Sequence, residues 1–67
     1  MNVDLLKLKI KKSGYKCKFI AEKLRLSYPG FQKKLNGVTE FSAAEIGVMK
    51  NLLKIDNLEL NSIFWPD

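Results

Sequence analysis

Apolar residues recur along this chain in short blocks at helical spacing, and turn residues separate the blocks. In the first block Leu6 and Ile10 stand four apart, Val3 lies a turn earlier, and lysines fill the rest of the surface. Strict alternation over Leu6–Lys11 also fits a strand. Asp4 in the first turn, lysines in the last and Gly14 just beyond favour a helix over Val3–Ser13 instead. A second helix is predicted from Lys16 to about Leu24, with Ile20, Ala21 and Leu24 as its apolar stripe and Cys17 a turn before Ala21.

After a break at Arg25-Leu26, Ser27 can cap a third helix whose first turn accommodates Pro29, where a missing N–H does no harm. That helix is expected to run to Leu35 and stop at Asn36-Gly37. A fourth helix opens with Ser42-Ala43-Ala44-Glu45, a capping box, continues through Ile46, Met49, Leu52 and Leu53, and is expected to end near Ile55. A short fifth helix follows Asp56 and Asn57, carries Leu58, Leu60, Ile63, Phe64 and Trp65, and is ended by Pro66. Five short helices with short connections predict a compact all-α domain spanning residues 1–67.

Composition narrows what such a domain can do. Its 67 residues suffice for one domain near the lower size limit for independent folding. Cys17 is the only cysteine and histidine is absent, so neither a disulfide nor an ordinary zinc site is expected. Without histidine there is no ordinary catalytic triad or Cys–His dyad, and the few carboxylates show no paired arrangement, so an enzyme is not expected. No apolar run approaches the roughly 20 residues of a membrane span. A free thiol and the absence of an export signal point to the cytoplasm.

The net charge of +5 is unevenly distributed. Residues 1–37 hold ten Lys/Arg against Asp4 and Glu22, a balance of +8, while residues 38–67 balance at −3. A basic half joined to an acidic half suits a domain that turns one face to a polyanion.

The informative stretch begins Gly14-Tyr15-Lys16-Cys17-Lys18-Phe19-Ile20-Ala21-Glu22-Lys23-Leu24-Arg25-Leu26-Ser27 and continues Tyr28-Pro29-Gly30-Phe31-Gln32-Lys33-Lys34-Leu35-Asn36-Gly37. Two helices joined by a turn of about four residues, a small Ala21 at their crossing, Leu26 plugging the turn and Phe31 on the inner face follow the packing logic of a helix-turn-helix over about residues 16–35. The stretch resembles the helix-turn-helix family of phage Cro and cI repressors, the XRE family. The IAEKL segment matches the family's LAEKL, Leu26-Ser27 its turn, and Asn36-Gly37 the loop after its recognition helix. Phe41 and the Ser42-to-Ile46 helix start are similar to short phage and mobile-element members.

The resemblance implies a lambda-repressor-like DNA-binding domain and a cytoplasmic, nucleoid-associated regulator. Its DNA-facing set would be Cys17, Lys18, Ser27, Tyr28, Pro29, Gly30, Gln32, Lys33 and Asn36. Residues 28–35 would lie in the major groove, where Gln32 can pair with adenine and Lys33 can meet guanine or phosphate. The backbone N–H groups of Asn36-Gly37 would face a phosphate strand. Lys34 is a weaker phosphate candidate than Lys33, and Lys7, Lys9, Lys11 and Lys12 are read as solvated helix surface.

Partners implied are double-stranded DNA and a second copy of the chain, with Phe64 and Trp65 as a dimer seam; neither a cofactor nor a membrane is implied. Phe64 is expected to pack inward and Trp65 to be available to a partner. With no second domain for ligand sensing, a Cro-like or accessory repressor role is expected. The alternative is a protein-interaction module on the same fold, an antitoxin or adaptor with little DNA binding.

Departures from the family pattern fall at five places, and the first is Cys17, a poor phosphate donor where relatives often have glutamine. Arg25 stands where relatives usually have glycine, which implies a positive φ costing about 1 kcal/mol. Lys16 replaces the usual Ser/Thr cap, losing a hydrogen bond worth ~1 kcal/mol. Pro29-Gly30 offers little side chain for base readout, shifting weight to lysine contacts and DNA shape. Ile10 and Leu35 replace a buried Arg–Glu ion pair of many relatives, and the two are expected to touch.

Overall fold

A computed structural model describes residues 1–66; Asp67, the last residue of the expected domain, lies outside them. Its described residues form five helices: α1 (Val3–Ser13), α2 (Cys17–Lys23), α3 (Tyr28–Leu35), α4 (Ala43–Leu52) and α5 (Asn57–Phe64). The expected all-α architecture is present, with the elements in the expected order and no strand among the described residues.

Side-chain caps set four of the five helix starts. Asn2, Ser27, Ser42 and Asp56 accept from the backbone N–H groups of Leu5, Gly30, Glu45 and Glu59. At Ser42 the box closes in both directions, since the Glu45 carboxylate accepts from the Ser42 backbone N–H at 2.8 Å. Lys16 precedes α2 without a side-chain cap, as expected from its residue type.

Three helices stop by one device. Beyond α2 the Leu26 N–H donates to the Ala21 carbonyl, beyond α3 the Val38 N–H to Lys33, and beyond α4 the Ile55 N–H to Lys50. This closure places the preceding residue in the left-handed region. Those residues are Arg25 (φ 57°), Gly37 (φ 81°) and Lys54 (φ 54°). Arg25 therefore has the positive φ expected of it. The same closure corrects the fourth helix, which ends at Leu52 and not near Ile55. Apolar residues continue through Leu53 and Ile55, both buried, so periodicity alone runs past the stop that Lys54 makes.

The core draws on every helix: Leu6 and Ile10 from α1, Ile20 and Ala21 from α2, Phe31 and Leu35 from α3, Met49 from α4 and Ile63 from α5. Leu24, Phe41, Leu53 and Ile55 join them from the connections. No polar or charged residue among those described is buried. Phe31 is fully enclosed and meets Phe41 edge-on at 6.1 Å. α3 packs against α2 and α1, and α1 also packs against α5, where the Asn2 N–H donates to the Ile63 carbonyl. No described helix is long and apolar enough to cross a membrane.

One ion pair fastens the end of α3 to the start of α4. Lys34 Nζ lies 2.6 Å from Glu45 Oε1, both side chains being largely shielded. Burial pushes the Glu45 carboxyl up; hydrogen bonds from Lys34 and from the Ser42 backbone, with the Lys34 charge, together leave it below its ordinary value of 4.5. A carboxyl depressed in the folded state contributes stability that is complete above its unfolded value and is lost as pH falls through the folded one. Unfolding followed by circular dichroism from about pH 6 to pH 3 should therefore show Glu45→Gln losing less stability on acidification than the parent chain. Equal acid sensitivity of the two proteins would mean that Glu45 does not contribute to it.

Candidate nucleic-acid interface

α3 divides into three faces by its own periodicity. Phe31 and Leu35 point into the core. Tyr28, Gln32 and Leu35, spaced i, i+4 and i+7, border a groove shared with α1 and with the start of α2. Pro29, Lys33 and Asn36 follow the same spacing one residue later, and all three are exposed. The rod is eight residues long, about 12 Å at 1.5 Å per residue, against a major groove about 12 Å wide.

Local sequence holds the start of this rod. The Ser27 hydroxyl accepts from the Gly30 N–H at 3.1 Å. A Cβ at position 30 would sit 2.9 Å from the Ser27 Oγ, so glycine here lets the cap close. Gly30 is half-buried, unlike the exposed Tyr28 and Pro29 that precede it in the rod's first turn. Tyr28 is 49% exposed. Ser27 keeps its hydroxyl proton for an outside acceptor, because the capping bond uses it as an acceptor.

The groove between α1 and α3 brings together three residues of the expected DNA-facing set, Cys17, Tyr28 and Gln32. Ile10 and Leu35 lie in the same groove and are both buried. An apolar pair thus occupies the place where the resemblance implies an ion pair. Cys17 is a free, half-buried thiol packed against the core. Lys18 is exposed and, with Ser27, Pro29, Lys33 and Asn36, lies outside this groove.

At the end of α3 one expectation changes, and the ranking of Lys33 over Lys34 does not. The Asn36 N–H donates to the Gln32 carbonyl, the Gly37 N–H to Lys34 and the Val38 N–H to Lys33. The loop's amides thus close the helix end and are not available to a phosphate strand; the Asn36 side chain remains exposed. Lys34 is committed to Glu45, which leaves Lys33 as the outward cation of the pair.

Several features escape a reading along the chain. Tyr15 stacks on Phe19 at 5.0 Å, and Lys23 Nζ stands 5.3 Å from the Phe19 ring centre. Their i, i+4, i+8 spacing, from Tyr15 just before α2 to Lys23 at its end, was the available signal. The lysines of α1 are also not equivalent: Lys9 pairs with Glu59 of α5, whereas Lys7 and Lys11 border the groove beside α3. Lys7, Ile10 and Lys11 at i, i+3 and i+4 could have revealed that arrangement, once Ile10 is taken as facing α3.

The seam residues separate as expected. Phe64 packs on the core, meeting Phe41 edge-on at 6.1 Å. Trp65 is 59% exposed and borders a pocket lined also by Met1, Phe41 and Ile46. Searched against family models, the chain matches none, and no curated protein or solved structure matches it.

Proposed function

We propose that this protein is a sequence-specific DNA-binding regulator of the phage Cro/cI-like kind, laying α3 in the major groove and repressing by blocking polymerase or a competing regulator. The observation that carries the reading is the capped α3 rod, which shows Tyr28, Pro29, Lys33 and Asn36 to solvent while Phe31 and Leu35 anchor its other side. Of the ten Lys/Arg of residues 1–37, eight precede that rod and two, Lys33 and Lys34, lie in it; they supply the attraction to a polyanion. Gln32 and Lys33 carry base and phosphate contact, with Tyr28 against sugar or a thymine methyl. Ser27, Lys18 and Cys17 meet the backbone at the rod's flank. The protein works as a binding protein without cofactor or catalysis, in the cytoplasm with the nucleoid. Two copies bind two half-sites, and the exposed Trp65 supplies their contact.

The test is a gel-shift titration against the DNA upstream of the protein's own gene, over a salt series. Affinity is expected to fall by about 0.9 log unit per log unit of salt for each phosphate contacted, with two protein copies per shifted duplex. Gln32→Ala with Lys33→Ala is expected to weaken specific binding about tenfold or more, since a good base contact is worth ~1–3 kcal/mol. Unchanged affinity in that double variant would end the assignment of α3. No DNA binding at low salt, together with tight binding to a protein, would favour the antitoxin or adaptor role.

A further inference from the structure

The lysines of α1 fall into two sets. Lys9 is neutralised by Glu59, and it borders a groove with Lys12 and Lys54 on the α4 side. Lys7 and Lys11 border the opposite groove, about 550 Å³ in volume, against α3. Lys16 joins them there, and no carboxylate lines that groove. Among the described residues the ion pairs are Lys9–Glu59 and Lys34–Glu45, so Lys7, Lys11 and Lys16 keep their full charge. Three like charges around one groove repel one another, and a bound polyanion relieves that repulsion.

We infer that Lys7 and Lys11, facing Tyr28 and Gln32 across this groove, form a track for the sugar-phosphate backbone of one strand of the bound duplex. The inference rests on the reading of α3 as the element that enters DNA. Three features of the groove fit a nucleic-acid strand better than an acidic peptide. Lys7 and Lys11 lie one turn apart, about 6 Å along the helix axis, which suits successive phosphates of one strand. The floor is apolar, through Ile10 and Leu35, and accepts the carbon face of deoxyribose, while the Tyr28 hydroxyl and Gln32 amide can donate to phosphate oxygens. The groove runs beside the exposed rod, where a strand bordering an occupied major groove must pass. α1 thus becomes a positioning element for the complex, fixing how the rod sits without reading bases.

The experiment measures binding of a short mixed-sequence duplex by fluorescence anisotropy across a salt series, because phosphate contacts need no operator. Lys7→Gln/Lys11→Gln is compared with Lys12→Gln/Lys54→Gln, which removes the same charge from the other groove. Circular dichroism checks that both variants keep their helices. The first pair is expected to lower the slope of log affinity against log salt by about 1–2, at roughly 0.9 for each phosphate no longer neutralised; the second leaves the slope as in the parent. Equal slopes in the two variants would overturn the inference, since net charge alone would then account for binding. An unchanged slope in Lys7→Gln/Lys11→Gln, with a reduced one in Gln32→Ala/Lys33→Ala, overturns the track while leaving the α3 reading intact. A parent chain that does not bind duplex at low salt overturns both. A poly-glutamate peptide that binds the parent more tightly than duplex, and no longer binds Lys7→Gln/Lys11→Gln, overturns the choice of DNA as occupant.

Discussion

Leu35→Glu is expected to unfold this protein, and Ile10→Arg added to it is expected to restore the fold. Leu35 and Ile10 are 4% and 5% exposed and border one groove. A carboxylate at position 35 loses its hydration in the buried floor of the groove, while the cations of that groove, Lys7, Lys11 and Lys16, are exposed; a buried charge left without a close partner costs about 3–5 kcal/mol. Small domains are stable by only about 5 kcal/mol or somewhat more, so the single variant should show little helical signal. The guanidinium at position 10 can then pair with the new carboxylate. Such a pair is often about neutral against a well-packed apolar one, so the double variant should regain most of the loss. Helical signal and thermal melts of the parent, the two single variants and the double variant should show the double variant more stable than Leu35→Glu by about 2 kcal/mol or more. A double variant no more stable than Leu35→Glu would mean that Ile10 and Leu35 do not share a site.

Phe31→Ala should cost nearly as much by a different route. The ring is wholly enclosed, sits on the inner face of α3 and meets Phe41 edge-on. Truncation removes the transfer energy of the ring and leaves a cavity, together about 3–5 kcal/mol for a buried Phe. The loss falls where α3 anchors to the domain, so the rod should loosen before α4 and α5 do. Urea unfolding followed by circular dichroism should show the midpoint moving to low denaturant; a loss below about 1 kcal/mol would mean the core collapses around the gap.

The fold was legible because local signals agree with one another. Ser27 and Pro29 open α3, and Asn36-Gly37 close it, so its bounds could be read directly from the chain. The Ser42-to-Glu45 capping box did the same for the start of α4. The end of α4 was not legible. Its stop is made by a lysine in a backbone conformation usually left to glycine, while the apolar pattern runs on through Leu53 and Ile55.

At the site, the faces of α3 followed from spacing, and so did the exposure of Lys33 and Tyr28. The use of the Asn36-Gly37 amides did not follow, because it depends on how the helix end closes. Along the chain Lys7, Lys9 and Lys11 were also read alike, although the spacing of Lys7 and Lys11 about Ile10 held a signal. The difference between them is set once α3 lies on one side of α1 and α5 on the other. Lys34 and Glu45, eleven residues apart, likewise meet only through the chain's reversal between α3 and α4.

Arg25 and Lys54 at positive φ carry a consequence for surface charge. Each costs the backbone about 1–2 kcal/mol relative to glycine. Each also sets a cation just past the negative end of a helix dipole, which returns about 0.3–1 kcal/mol. The two effects partly cancel, so the chain carries cations at two glycine-type corners for a small net loss. Positive charge is thus placed at two helix ends without adding a residue to any helix or disturbing a core contact.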